Sequence, residues 1–276
     1  TCELFGHRDL AGDDVGFDLI NFGLEGTGTD QQLLMYEHVG RRYEHDAVML
    51  LPFLQNIRRN MVEARPSLDP ETGRQVLLPK PRFELVDGRL EVRNVPVPDE
   101  RRPFDEGDAT SLRGTDADTG LSWRLKSKLS KLWLVRQAKK IVYPLLAYDP
   151  FPEYKDPRSA EWRLMAALIR RFKELAGERP LVIVPLFYVS YVRYGMSRAY
   201  WHRFSSLADG RGTYAIDVLP HFRQLGPDGI RCFQEPHDSH LSADGHLVLA
   251  LALRAEMRKL GLLLPDESAA AGAGPT

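Results

Sequence analysis

A chain of 276 residues, 43% hydrophobic and 27% charged, has the length and composition of one large α/β domain or two small ones around a sizeable core. Its formal net charge of -1 removes any global pull towards nucleic acid or an anionic membrane. The two cysteines, Cys2 and Cys232, exclude a disulfide scaffold and a cysteine metal cluster, and no run of about 18 apolar residues is present to span a bilayer.

In chain order, Thr1 to Leu10 reads as a helix. Phe17 to Phe22 and Ala47 to Leu54 are short apolar runs bounded by turn or cap signals, the pattern of buried strands in a parallel sheet. A helical pattern from Asp30 to Tyr43 separates them. Residues 61–151 then break the rhythm with proline and charge. Within that stretch Arg82 to Val86 and Arg89 to Arg93 alternate polar with apolar around Asp87-Gly88, which predicts a hairpin. A polar loop from Asp99 to Thr119 and a basic amphipathic helix from Ser122 to Leu146 follow.

The rhythm resumes with a helix at Ala160 to Leu175, a strand at Leu181 to Phe187, a helix at Ser197 to Leu207, a strand at Tyr214 to Val218 and a helix at Ala243 to Leu260. Such alternation predicts an open α/β sheet with helices on both faces. We expect one domain over residues 1–264 carrying an insertion at 61–151 that acts as a hairpin-plus-helix cap. The tail at 265–276, mostly small residues, is expected to be disordered.

Chemistry concentrates after the last expected strand. Asp238 stands two residues before His240, just ahead of an amphipathic helix, where open α/β sheets place their sites. The carboxylate can orient one imidazole nitrogen while the other takes a proton from a hydroxyl nucleophile. Alone the pattern is weak, because Asp and Ser also cap helices.

Three stretches change that weight. Asp238-Ser239-His240 with Leu241 to His246 resembles the last block of SGNH/GDSL serine hydrolases. Asn21 to Gln31, with Gly26 at its centre, resembles the second block, and Phe53 to Asn60 resembles the third. The three appear in the family's order, each expected at a strand end. The resemblance implies an SGNH hydrolase fold, a three-layer sandwich with a flavodoxin-like parallel sheet. It implies that Gly26 N–H and the Asn56 side chain form an oxyanion hole, and that Asp238 and His240 are the catalytic pair. Ile57 stands where the family usually has Asp.

The family's first block, Gly-Asp-Ser, does not occur in the chain. Thr1 to Leu10 aligns best with the helix after that block, so the nucleophile is expected upstream of Thr1. Its strand would lie between those ending at Asn21 and Asn56. The expected activity is hydrolysis of an ester on a small molecule or glycan. The rivals are acyl transfer to a sugar or small-molecule hydroxyl, and a binding domain that has lost its nucleophile. No metal or organic cofactor is implied. Membrane association through a preceding segment and the compartment stay open.

Other residues read more plainly. His246 fits a helix start or core position, and His237 an exposed neighbour. Tyr188, Tyr191, Tyr194, Tyr200 and Trp201, near His202, fit a substrate pocket or ordinary packing equally. The basic helix fits a cap on the core better than a membrane-surface role. Gly26-Thr27-Gly28 lacks the three-glycine spacing and lysine of phosphate loops.

Overall fold

The computed structural model describes residues 4–6, 18–24, 26–99, 101–104, 133–234 and 240–263. The chain begins with β1 (Leu4–Gly6), β2 (Asp18–Ile20), α1 (Thr29–His38), β3 (Val48–Leu50) and α2 (Asn56–Arg59). The middle holds β4 (Ala64–Leu68), β5 (Gln75–Pro79), β6 (Arg82–Val86), β7 (Arg89–Arg93), β8 (Arg102–Pro103) and α3 (Trp133–Leu145). The remainder runs α4 (Ala160–Ala176), β9 (Leu181–Ile183), α5 (Val189–Arg193), α6 (Ala199–Ser205), β10 (Thr213–Ala215), α7 (Leu219–Gln224) and α8 (Ala243–Lys259).

The architecture is mixed α/β. Three parallel strands lie in the order β10-β9-β3, with Val48 and Thr213 both in register with Leu181. Leu181, Val182 and Ile183 are all buried, which is why this strand reads as a continuous apolar run and not as an alternating one. A parallel bridge between Phe53 and Leu186 carries the pairing of β3 and β9 beyond the strands proper.

The long helix α4 shows how the sequence builds the core. Trp162, Met165, Ile169, Phe172 and Ala176 recur at three- and four-residue spacing and are all buried. Burying each large apolar side chain stabilises the fold by about 1.5–3 kcal/mol. Ser159 caps the start, its Oγ accepting the Trp162 N–H at 3.2 Å. Phe172 stacks on Tyr36 of α1 with ring centroids 5.7 Å apart, so α1 and α4 pack together.

The amino-terminal expectations are corrected. Residues 4–6 form a strand and not a helix, pairing antiparallel with β2 so that Leu4 opposes Ile20. The Phe17 to Phe22 run is therefore outside the parallel sheet, and Leu19 is half exposed. A strand's backbone groups must pair with something, and the short apolar segment at 4–6 supplies the partner.

The insertion holds more sheet than the hairpin alone. β6 and β7 form that hairpin, with positive φ at Asp87 and Gly88 (49° and 79°) as a tight two-residue turn requires. A separate antiparallel sheet, in the order β4-β5-β8, was not legible. The basic helix spans 133–145; residues 105–132 lie outside the described residues. Tyr143 packs the helix against the core, 5.4 Å from the Tyr194 ring, and Pro144 lies beside Gly195. Tyr143 stacks on Tyr148 at 4.2 Å, yet Ile141, Val142, Leu145 and Leu146 are exposed.

Candidate active site

Gly26 lies in the loop between β2 and α1, and Asn56 at the start of α2 is bonded to Thr29, three residues beyond Gly26. Gly26 has φ of +70°, a conformation that side-chain-bearing residues rarely adopt. Two residues on, Gly28 N–H donates to Gln31 Oε1 at 3.3 Å and opens α1. Asn56 starts the short helix α2 and is 1% exposed. Its Nδ2 donates to Thr29 Oγ1 at 3.3 Å, and its Oδ1 accepts from Arg59 Nη1 at 3.5 Å. Those contacts fix which way the amide points. An Asn amide has two N–H groups, so one remains beyond the Thr29 bond.

Further bonds hold the Gly26 loop against α2. Asp30 N–H donates to Asn60 Oδ1 at 3.2 Å, and Asp30 Oδ1 accepts the Gln31 N–H at 2.8 Å. Asp30 Oδ2 accepts from Lys80 Nζ in an ion pair whose side chains are 0% and 4% exposed. Burial pushes the Asp30 carboxyl up and the Lys80 ammonium down, each towards its neutral form, while the ion pair pulls both back. A charge pair this deep contributes more to holding geometry than to net stability.

His240 stands on a second, exposed turn. Its carbonyl accepts the Gln234 N–H at 2.9 Å, and Phe233 bridges antiparallel to Leu241. Ser242 N–H donates to Cys232 O at 2.9 Å, and Ser242 Oγ accepts the Gly245 N–H at 3.2 Å as the cap of α8. Gly245 is required by contact: a Cβ there would lie 1.9 Å from Cys232 O. The motif around Gly245 thus has a mechanical meaning, in that it lets α8 start against the strand-like segment that carries the His240 turn.

The two clusters occupy the same carboxyl side of the parallel sheet. Phe233 packs against Phe187, with centroids 6.4 Å apart, just past the Phe53–Leu186 bridge. Tyr188 packs 4.5 Å from the Phe53 ring and donates its hydroxyl to Gln55 Oε1, beside Asn56. Asp238 and His237 lie outside the described residues. His246 is exposed on the first turn of α8.

The tyrosine-rich segment resolves towards packing. Tyr191, Tyr194 and Tyr200 are core residues, and Tyr191 hydroxyl donates to Asp149 Oδ1 at 3.2 Å. Burial raises the pKa of both Asp149 and Tyr191. Among the described residues no group of three or more His, Cys, Asp or Glu side chains is placed to hold a metal ion. Sequence reasoning missed the Asp30–Lys80 pair, Asn60, and Arg65, whose guanidinium lies against Gly26. Asp30 and Lys80 are 50 positions apart, and neither sits in a motif that announces the other.

The chain matches no family model, no curated protein and no solved structure.

Proposed function

We propose that this chain forms the body of an SGNH/GDSL-type serine esterase, with a three-layer, flavodoxin-like core and a nucleophilic serine on a strand outside residues 1–276. The observation that carries the reading is the Asn56–Thr29 bond. An amide donor at the start of α2, bonded to the residue that opens α1 just after the glycine loop, supports an oxyanion hole built from Gly26 N–H and Asn56 Nδ2. The order β3-β9-β10 is consistent with such a sheet, and its β3 edge is the place a nucleophile strand would pair.

In this scheme serine Oγ attacks the ester carbonyl while His240 takes its proton. Asp238 holds the imidazole and stabilises its protonated form. The tetrahedral oxyanion receives hydrogen bonds from Gly26 and Asn56, each such donor lowering the barrier by about 3–4 kcal/mol. His240 then returns the proton to the departing alcohol, and water repeats the cycle on the acyl-serine.

The test is a form of the protein extended ahead of Thr1 to include the serine strand, assayed with a short-chain aryl ester and labelled with a fluorophosphonate. Turnover and labelling at one serine are expected, both abolished in His240→Ala and intact in His246→Ala. Full turnover in His240→Ala would falsify the assignment.

A further inference from the structure

The end of α3 presents an apolar surface that the core does not use. One side of the helix is packed, with the Tyr143 ring 5.4 Å from the Tyr194 ring. Another side faces solvent. Ile141, Val142, Leu145 and Leu146 recur at one- and four-residue spacing on a single stripe, and Leu146 N–H donates to Val142 O at 3.0 Å, carrying the turn past the helix end. Leu145 and Leu146, 78% and 71% exposed, are the two most exposed large hydrophobic side chains among the described residues. Scattered exposed leucines need no explanation; four aliphatic side chains on one stripe do.

Two further properties say what covers this stripe. Residues 122–148 contain seven Lys and Arg and no Asp or Glu, although the net charge of the chain is -1. Lys139 and Lys140 stand immediately before the stripe, Lys140 exposed and Lys139 with its Nζ 5.8 Å from the Tyr143 ring. Attraction to a charged surface needs only their charge, not an open hydrogen-bond donor. The backbone here is also closed on itself. The carbonyls of Val142, Tyr143 and Pro144 accept N–H bonds from Leu146, Tyr148 and Ala147, while Ala147 O accepts from Lys155 Nζ and Tyr148 O accepts the Ser197 N–H, both at 2.8 Å. Those groups lose nothing when water leaves the segment.

We propose that this stripe docks the protein on a lipid bilayer whose surface carries anionic headgroups, with α3 lying in the plane of the interface. At about 1.5 Å per residue, its 13 residues fall short of the roughly 30 Å of a bilayer's hydrocarbon core. Lying flat instead lets the leucines enter the acyl boundary while the lysines extend their stems towards the headgroups. A second copy is a poorer occupant, because a two-fold axis would set the like charges of two such helices against each other. The inference is independent of the esterase reading. Phe151, three residues past Tyr148, stacks on Tyr188 at 5.9 Å, so a short run of chain joins the docking surface to the candidate site.

The test sediments residues 1–276 with vesicles of phosphatidylcholine, alone or mixed with phosphatidylglycerol, at rising salt. Binding to the mixed vesicles that weakens with salt, and much weaker binding to the neutral ones, are expected. Leu145→Gln and Leu146→Gln should each reduce affinity for the mixed vesicles roughly tenfold or more. Both side chains stand in solvent, so the thermal transition should stay at the parent's. Lys140→Gln should lower affinity about fivefold and flatten the salt dependence, a readout that serves even if a leucine variant unfolds. Leu68→Gln, at a position 67% exposed on β4, is the control and should change nothing. No binding to the mixed vesicles, parent-like affinity in the leucine variants, or equal binding to both vesicle types at low salt overturns the proposal. So does a lipid-free dimer that Leu145→Gln dissolves in sedimentation velocity, since the stripe would then belong to a second copy.

Discussion

Asn56 and Thr29, 27 positions apart, meet through a buried 3.3 Å hydrogen bond that ties the start of α2 to the start of α1. Thr29 is 0% exposed, so its hydroxyl has no water to replace a lost partner. Thr29→Val keeps the shape and removes the acceptor. It should cost about 1–3 kcal/mol, the penalty of a buried amide left unpaired. On the esterase reading the loosened Asn56 also lowers kcat with KM little changed. A thermal transition identical to the parent's would show that the bond holds nothing in place.

The Asp30–Lys80 pair makes a different prediction. Lys80→Met leaves a carboxylate buried at 0% exposure with its cation gone, and should destabilise the protein by about 3–5 kcal/mol. Adding Asp30→Asn removes the stranded charge, so the double variant should recover a large part of that loss. Denaturant unfolding of the two single variants and the double would reveal it; strict additivity would mean that the two side chains do not act as a pair.

The contrast between α4 and that pair shows what could be read directly. Apolar spacing marks α4, β3, β9 and β10 because each buries a continuous face, and Asp87-Gly88 marks the hairpin because few residues tolerate its turn. The sheet of β4, β5 and β8 stayed hidden since Pro66, Pro79 and Pro103 interrupt its strands, and proline argues against strand interiors. The Gly26 and Asn56 loops could be singled out by resemblance, but their mutual contact and the guanidiniums beside them arise from pairings across long stretches of chain that periodicity does not encode.

At the other cluster, Gly245→Ala should be poorly tolerated. The new methyl would fall 1.9 Å from the Cys232 carbonyl oxygen, so α8 must shift away from the 232–234 segment. We expect a loss of roughly 1–3 kcal/mol or more, as for overpacking in a tight core. The same shift should move the His240 backbone resonances, because His240 O receives its hydrogen bond from Gln234 in that segment. An unshifted spectrum with parent-like stability would count against close contact.

Acid stability should depend on Asp209. Its Oδ1 accepts N–H bonds from Arg211, Gly212 and Thr213 at 2.8–2.9 Å, shaping the turn that leads into β10. These donors favour the charged form and lower its pKa from 3.8 to about 2. A carboxyl depressed in the folded state contributes stability that is full above 3.8 and is lost as pH falls through about 2. Asp209→Asn can keep the hydrogen-bond acceptor but not the titration, so its stability should fall less steeply across that window. Parallel curves for variant and parent would refute the assignment.

The outer edge of β3 gives the most direct physical test of the missing-strand idea. Val48 N–H donates to Pro180 O, and Val184 N–H donates to Leu50 O, both at 2.9 Å; further along, Leu186 N–H donates to Pro52 O at 2.9 Å. Even-numbered positions therefore face β9, and the alternation of a strand turns the Met49 and Leu51 backbone groups the other way. Unpaired groups on a half-buried edge cost about 1–3 kcal/mol each when water cannot reach them, so such an edge favours a partner strand. Amide hydrogen exchange should show Val48 protected and Met49 and Leu51 exchanging faster in residues 1–276. In the form extended by the proposed serine strand, Met49 and Leu51 should slow to the level of Val48, and the thermal transition should rise. If Met49 and Leu51 are already as protected as Val48 in the shorter chain, the edge is closed by other means and the nucleophile must be sought elsewhere.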